Sequence, residues 1–252
     1  MIRRKTLFGL EERQMITPFS PVQEQIEYFF GGNSHPYHDF EKLILDHIQP
    51  HFSVLDVGCG RTAPNLVKLV GRAKKLYGID LVEFDHPGMD IVLTNHDVCN
   101  MSSISDGSID LIYSRSVMEH VKNPSVAYGE IHRVLKPGGF YIFLTPSFYD
   151  YASIISHLVP NRFHPKIVAW TEGRQEDDVF PAYYKVNTWR AVKRLSKAAH
   201  FEIVSFSYLG QHPSYFNFSR TLFFIGSIYQ KLISKFAILY PLQGWILCVL
   251  RK

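Results

Sequence analysis

From residue 53 to about 145, short apolar runs alternate with stretches of helical periodicity, the pattern of βα units feeding a mostly parallel sheet. Ser53-Val54-Leu55-Asp56-Val57 reads as a buried strand ending in Gly58-Cys59-Gly60, with a helix expected through Leu66, Val67, Leu69 and Val70. Residues 76–80 form a second strand, 90–93 a weaker third, and 109–113 a fourth after the turn Ser105-Asp106-Gly107-Ser108. The spacing predicts a helix over 125–135. It stops at Lys136-Pro137-Gly138-Gly139, where the proline ends the helix and the glycines permit tight re-entry into a fifth strand over 140–144. From 147 to 187 the alternation lapses into a stretch rich in aromatics, His and Pro. It resumes with a helix over 188–200, N-capped by Thr188, a strand over 201–208 and a closing strand over 245–250. Between these strands Leu222, Ile225, Ile228, Tyr229, Leu232 and Phe236 recur at helical spacing.

Composition narrows the class. The 252 residues are 46% hydrophobic and 20% charged, enough to bury a core without metal or disulfide staples and inconsistent with global disorder. Cys59, Cys99 and Cys248 are odd in number and far apart, which disfavours a disulfide framework, and the absence of a C-x-x-C pair argues against structural zinc. The basic start Met1-Ile2-Arg3-Arg4-Lys5 meets Glu11-Glu12-Arg13 before an apolar stretch long enough for export can develop. The greasiest region, 222–250, is broken by Gln230, Lys231, Lys235, Pro241 and Gln243, whereas a spanning helix needs about 20 apolar residues. The expected location is cytoplasmic. The net charge of +4 hides an asymmetry: from Lys185 onward 10 basic residues face one acid, a net +9, leaving −5 for residues 1–184.

The sharpest local feature is Asp56-Val57-Gly58-Cys59-Gly60-Arg61-Thr62-Ala63. Glycines after a buried strand let backbone pass close under a ligand, and the run satisfies the relaxed dinucleotide pattern. Asp56 separates the readings, because a carboxylate there repels a pyrophosphate and suits an ammonium group. Asp80 closes the second strand 22 residues past Gly58, the spacing of an acid that accepts both hydroxyls of a ribose. Asp97, in Asn95-His96-Asp97-Val98, is placed to take an exocyclic amine of adenine, against the competing reading of a solvated loop acid. Ser114-Arg115-Ser116 follows the fourth strand at the same end of the sheet.

With these residues in view, the sequence resembles the class I S-adenosylmethionine-dependent methyltransferases, particularly the small-molecule group called type 11. The resemblance rests on Leu55-Asp56-Val57-Gly58-Cys59-Gly60, Gly78-Ile79-Asp80, His96-Asp97-Val98, Asp106-Gly107-Ser108-Ile109-Asp110-Leu111-Ile112 and Glu130-Ile131-His132-Arg133-Val134-Leu135-Lys136-Pro137-Gly138-Gly139, covering about residues 40–145. Ile109 stands where many members carry phenylalanine, a conservative departure. It implies an α/β, Rossmann-like three-layer sandwich: a seven-stranded, mostly parallel sheet with an antiparallel last strand, plus helical and aromatic insertions. It also implies a single domain over 1–252, with an N-terminal lid (1–45), a cofactor core (46–145), an insertion (146–187) and a C-terminal part (188–252) carrying an amphipathic helix at about 220–236. The implied cofactor is S-adenosyl-L-methionine, with no metal. Gly58, Cys59 and Gly60 would pass under its methionine part, Asp56 would sit near the amino group, and Ser114 would line the same side. Asp80 would hold the ribose and Asp97 the adenine, with Leu81 and Val98 also counted among the cofactor-binding residues.

A sulfonium is already a strong electrophile, so methyl transfer chiefly needs an aligned acceptor, with a general base where that acceptor is a hydroxyl, phenol or ammonium. His120, in Met118-Glu119-His120-Val121, is the catalytic candidate; the competing reading is a capping or packing histidine. Tyr28-Phe29-Phe30-Gly31-Gly32 and His35-Pro36-Tyr37-His38 resemble the family's lid. Asn161-Arg162-Phe163-His164-Pro165 and the run Phe180-Pro181-Ala182-Tyr183-Tyr184-Lys185-Val186-Asn187-Thr188 suit pocket walls or ordinary loop core. The basic amphipathic segment 220–236 suits either peripheral membrane contact or packing on the domain. Together these imply methyl transfer to a hydroxyl, amine or carbon of a small-molecule, lipid-like or saccharide-linked acceptor. The alternatives are an RNA methyltransferase and a cofactor-binding protein without turnover. Ser114-Arg115-Ser116 lacks the Pro-Pro-aromatic signature of base-amino methyltransferases, which disfavours nucleic acid.

Overall fold

A computed structural model describes residues 22–31, 35–85, 90–151, 154 and 180–252. The basic start and the segment Asn161-Arg162-Phe163-His164-Pro165 lie outside the described residues. In chain order the elements are α1 (Gln23–Phe30), α2 (Pro36–His47), β1 (Ser53–Val57), α3 (Pro64–Val67), β2 (Lys75–Asp80), β3 (Ile91–Asn95), β4 (Ile109–Arg115), α4 (Pro124–Val134), β5 (Leu135–Pro146), α5 (Trp189–Ala198), β6 (Glu202–Leu209), α6 (Arg220–Lys235) and β7 (Trp245–Arg251). Short 3₁₀ turns occupy Met118–His120, Ser214–Phe216 and Ala237–Leu242.

The seven strands form one sheet in the order β3-β2-β1-β4-β5-β7-β6, with β7 antiparallel to both neighbours and the other pairings parallel. Strand order reverses between β1 and β4, so a crevice opens at the carboxyl ends of those strands. Period-2 alternation gives the sheet two apolar faces. Val54, Leu111, Tyr113 and Ile142 join Phe40 and Ile44 of α2 and Leu66 of α3 on one side. Leu55, Ile112, Tyr141, Phe143 and Cys248 pack with Tyr128 and Ile131 of α4 and Leu195 of α5 on the other. The result is three layers. Thr188 caps α5 as expected, its side chain accepting from Ala191 N at 3.2 Å.

Two elements depart from the sequence reading. α3 is a single turn; beyond it Leu69, Val70 and Arg72 donate to carbonyls three residues back, so the helix tightens into turns before Gly71, at φ 78°. β5 begins at Leu135 rather than 140. Leu135 pairs with Ile109, and 136–139 bulge out before pairing resumes at Leu111 and Phe140. α4 stops at Val134 with Leu135 already extended, Pro137 disfavours a return of Lys136 to the helical region, and Gly138, at φ 80°, absorbs the bulge.

By internal contacts the chain divides into two compact units, His35–Gln211 with Ile233–Lys252, and Met1–Ser34 with His212–Leu232. The larger holds the whole sheet. In the smaller, Val22, Ile26 and Phe223 are buried together with Phe30 and Phe216 beside them. That unit leaves much apolar surface in water: Tyr28 is 81% exposed, Phe218 75% and Ile225 58%, with Phe224 and Ile228 also open. Among the described residues no helix is long and apolar enough to cross a membrane.

Candidate cofactor and acceptor site

The backbone of the glycine loop is fixed before any ligand is considered. Gly58 leaves β1 at φ 76°, its N–H donating to Ile79 O at 2.8 Å, and a Cβ built on it would run into the Val117 side chain. Only glycine tolerates both conditions. Gly60, at φ 73°, donates to Asp80 Oδ2 at 2.8 Å, while Asp80 Oδ1 accepts from Leu81 N at 2.7 Å and Val82 N at 3.3 Å. The Asp80 carboxylate therefore ties the loop after β1 to the end of β2, and its remaining lone pairs stay open to a hydroxyl-bearing ligand.

Over this loop lies a cavity of about 580 Å³, within the range of small-ligand sites. Gly58, Gly60, Asp80, Leu81, Asp97, Val98 and His120 all line it. Leu81 is 53% exposed, an apolar side chain left open at the cavity wall. Asp97 is exposed, with one carboxylate oxygen accepting from Cys99 N at 2.8 Å.

The side chains of Asp56, Cys59 and Ser114 are not on that wall: Asp56 alternates with Val57 along β1 and takes the other face of the sheet, while Cys59 and Ser114 are turned into buried contacts. Ser114 is buried and shares a 2.8 Å hydrogen bond with the Tyr141 hydroxyl. The Cys59 thiol is pressed toward Gly78, where a Cβ would sit 2.7 Å from it; burial, then the charges of Asp56 and Asp80, push its pKa well up. Asp56 lies buried one residue before Val57, which does reach the wall. Burial pushes its carboxyl well above the usual range, partly countered by the Arg115 guanidinium and by the nearby Tyr113 hydroxyl. That hydroxyl does not meet hydrogen-bond geometry, and Asp56 Oδ2 has no partner. A buried carboxylate oxygen without a donor is costly and suits a cationic ligand group.

Arg115 is a cavity residue that sequence reasoning passed over. Its guanidinium stacks 4.3 Å from the centre of the Tyr37 ring and lies 3.9 Å from Glu41 Oε1, both on α2. The sequence places the run Ser114-Arg115-Ser116 at this end of the sheet, but marks only Ser114 for a role there.

The opposite wall is built from the 3₁₀ turn Met118–His120 and the segment 180–187. His120 Nδ1 lies 3.2 Å from Pro181 O. A carbonyl only accepts, which assigns the proton to Nδ1 and leaves Nε2 as the basic nitrogen of the neutral ring. Nε2 lies 3.9 Å from Glu119 Oε1. Glu119 is buried, and its Oε2 accepts from Thr145 Oγ1 at 3.0 Å. Asn187 Nδ2 donates in turn to Thr145 Oγ1 at 2.8 Å and to Pro146 O at 2.7 Å. The Glu119 carbonyl receives Tyr183 N at 2.7 Å and Tyr184 N at 3.1 Å, so the 180–187 segment is fastened to the turn by backbone and side chain together. Phe180 and Tyr183 face the cavity from this segment. Among the described residues no group of three or more His, Cys, Asp or Glu side chains is placed to hold a metal ion.

Comparison with known proteins places this geometry in context. Residues 55–143 match the family described as a methyltransferase domain. A ubiquinone biosynthesis O-methyltransferase of Nitrosococcus oceani is 31% identical over 130 residues, covering 45% of this chain and 54% of that protein. A 24-methylenesterol C-methyltransferase 2 of Arabidopsis thaliana is 25% identical over 188 residues, covering 69% of this chain and 48% of that protein. The chain thus spans about half the length of these curated relatives. An S-adenosylmethionine-dependent methyltransferase of Mesorhizobium loti superposes with a TM-score of 0.57 at 16% identity, covering 87% of this chain and 99% of the other. That likeness establishes the fold.

Proposed function

We propose that this chain, whose residues 55–143 match a methyltransferase-domain family, transfers the methyl group of S-adenosyl-L-methionine to a hydroxyl, amine or carbon of a small, lipid-like acceptor. One observation carries the reading: a cavity at the reversal of strand order gathers Gly58, Gly60, Asp80, Asp97 and His120 from separate stretches of the chain. The residues fit the cofactor. Gly58 leaves a hollow that a Cβ would fill, and Asp56 Oδ2 is a buried acceptor without a donor, suited to an amino group. Gly58 and Gly60 hold the methionine part, with Cys59 and Ser114 buried behind them and off the cavity wall. Asp80 takes the ribose hydroxyls and Asp97 the adenine amine, with Leu81 and Val98 against the base. Arg115 suits the cofactor carboxylate.

When bound, the cofactor supplies an electrophilic methyl group on a sulfonium. The chain's own work is to exclude water, orient the acceptor for in-line attack and accept a proton where the acceptor is a hydroxyl. His120 Nε2 takes that proton, and Glu119, 3.9 Å away, stabilises the resulting imidazolium. The Pro181 carbonyl holds the ring in the required tautomer.

The lipid-like character of the acceptor is supported by the curated relatives, named for ubiquinone biosynthesis and for a sterol. Exposed apolar side chains of α6, flanked by Arg220, Lys231 and Lys235, further suit peripheral contact of residues 220–236 with an anionic membrane on its cytoplasmic side. To test the reading, the protein is incubated with methyl-labelled cofactor and fractionated extract. Label should enter the lipid or organic-soluble fraction. Label confined to RNA would favour the nucleic-acid alternative, and cofactor binding with no labelled product would favour a protein without turnover.

A further inference from the structure

A second concavity, of about 470 Å³, lies beside the first at the start of α4. Lys122 and Asn123 line both, so the two cavities share a wall. Of the eight residues lining the second, Lys122, Lys185 and Arg194 are cationic and none is acidic. They come from three parts of the chain: the loop after the His120 turn, the fastened segment 180–187 and helix α5. Lys185 Nζ donates to the Lys122 carbonyl at 2.7 Å, which holds its ammonium over this loop. Among the described residues, no carboxylate pairs with any of the three.

Three unpaired cations around one hollow repel each other, at a cost that a bound anion would remove. The backbone adds to the same field. α4 runs for 11 residues, no side chain caps its N-terminus, and its first turn holds no acid. The positive end of its dipole is therefore uncompensated where the cations converge.

The geometry points to this hollow as an anion subsite for a phosphate or diphosphate group, next to the cavity assigned to methyl transfer. Arg194 offers a planar fork for two phosphate oxygens, while Lys122 and Lys185 add compact charges. Two sources share this chemistry: a phosphorylated head on the acceptor, whose apolar part would reach past Lys122 into the first cavity, or a free anion. Assigning the group to the acceptor rests on the methyl-transfer reading; the anion site itself does not.

The test is calorimetric titration of the whole chain at low ionic strength with inorganic pyrophosphate and, separately, n-octyl diphosphate, each with and without S-adenosylhomocysteine. Pyrophosphate should bind, and Arg194→Gln should weaken it about tenfold. Arg194→Lys should recover part of the loss, and Arg190→Gln, on the same helix but outside the hollow, should change little. S-adenosylhomocysteine affinity should be the same in Arg194→Gln as in the unaltered chain. Tighter n-octyl diphosphate binding with S-adenosylhomocysteine present would assign the anion to the acceptor; equal binding would assign it to a free anion. No pyrophosphate binding, or equal weakening by Arg190→Gln and Arg194→Gln, would overturn the site even if S-adenosylhomocysteine binds. Pyrophosphate binding without S-adenosylhomocysteine binding would instead remove the methyl-transfer reading and leave the anion site standing.

Discussion

The two ends of the main cavity are held by different means. At the glycine-loop end, main chain holds main chain: Gly58 on Ile79, His96 on Asp80, with the Asp80 carboxylate bridging to Gly60. At the His120 end, a buried relay from Glu119 through Thr145 to Asn187 holds two loops together. The first arrangement is tied into the β1–β2–β3 ladder and tolerates almost no change of residue. The second adds these side-chain hydrogen bonds to the two backbone bonds that Tyr183 and Tyr184 make to the Glu119 carbonyl, and of its members only Thr145 lies in the sheet.

The division can be broken from either end. The largest effect is expected from Gly58→Ala, which meets both the left-handed backbone and the Val117 side chain. Cofactor affinity should fall at least about 100-fold, with about 2–3 kcal/mol of stability lost, read by S-adenosylhomocysteine titration and thermal melting. Next, His120→Gln should lower kcat about 100-fold with an oxygen acceptor while leaving cofactor affinity unchanged. Unchanged turnover at saturating acceptor would remove His120 from the chemistry.

Asn187→Ala should act on the acceptor alone. It removes the donor to Thr145 Oγ1, which keeps its bond to Glu119, and leaves the Pro146 carbonyl without this partner, costing about 1–3 kcal/mol of stability, and should raise the acceptor KM about tenfold without moving cofactor affinity. A parallel loss of cofactor affinity would show that the two ends are not independent.

The smallest effect concerns pH. Burial raises the Asp56 pKa above its ordinary value near 3.8, so the folded chain holds this proton more tightly than the unfolded one. Its contribution is fully present below that ordinary value and is lost as pH rises toward the folded value. Asp56→Asn should therefore flatten the fall in stability of the ligand-free protein above pH 4. At pH 7 it should be more stable than the unaltered chain while binding cofactor more weakly, as measured by denaturant titration across pH.

The same division governs what could be read from the chain. β1, β2 and β4 are buried on both faces and form continuous apolar runs, so strand identity and the positions of Gly58, Asp80 and Asp97 stood out. The loop between β1 and β2 was legible as a ligand cradle, yet the use of Asp80 to anchor Gly60 was not, since it depends on two strands becoming neighbours. At the other end nothing local marks Glu119, Thr145 and Asn187 as partners, because 68 residues of chain separate the first from the last and only the folded sheet joins them. Arg115 was placed at the right end of the sheet but given no role for a similar reason: its setting comes from Tyr37 and Glu41, on a helix that precedes β1.

The central claim is that the glycine-loop end binds S-adenosylmethionine through positions fixed by the sheet. Calorimetric titration with S-adenosylhomocysteine, run in parallel on the unaltered chain, Gly58→Ala and His120→Gln, tests it most directly. One site is expected in the unaltered chain, with the same affinity in His120→Gln and loss of binding in Gly58→Ala, provided that variant still melts cooperatively. No binding by the unaltered chain, or undiminished binding by a folded Gly58→Ala, would contradict it.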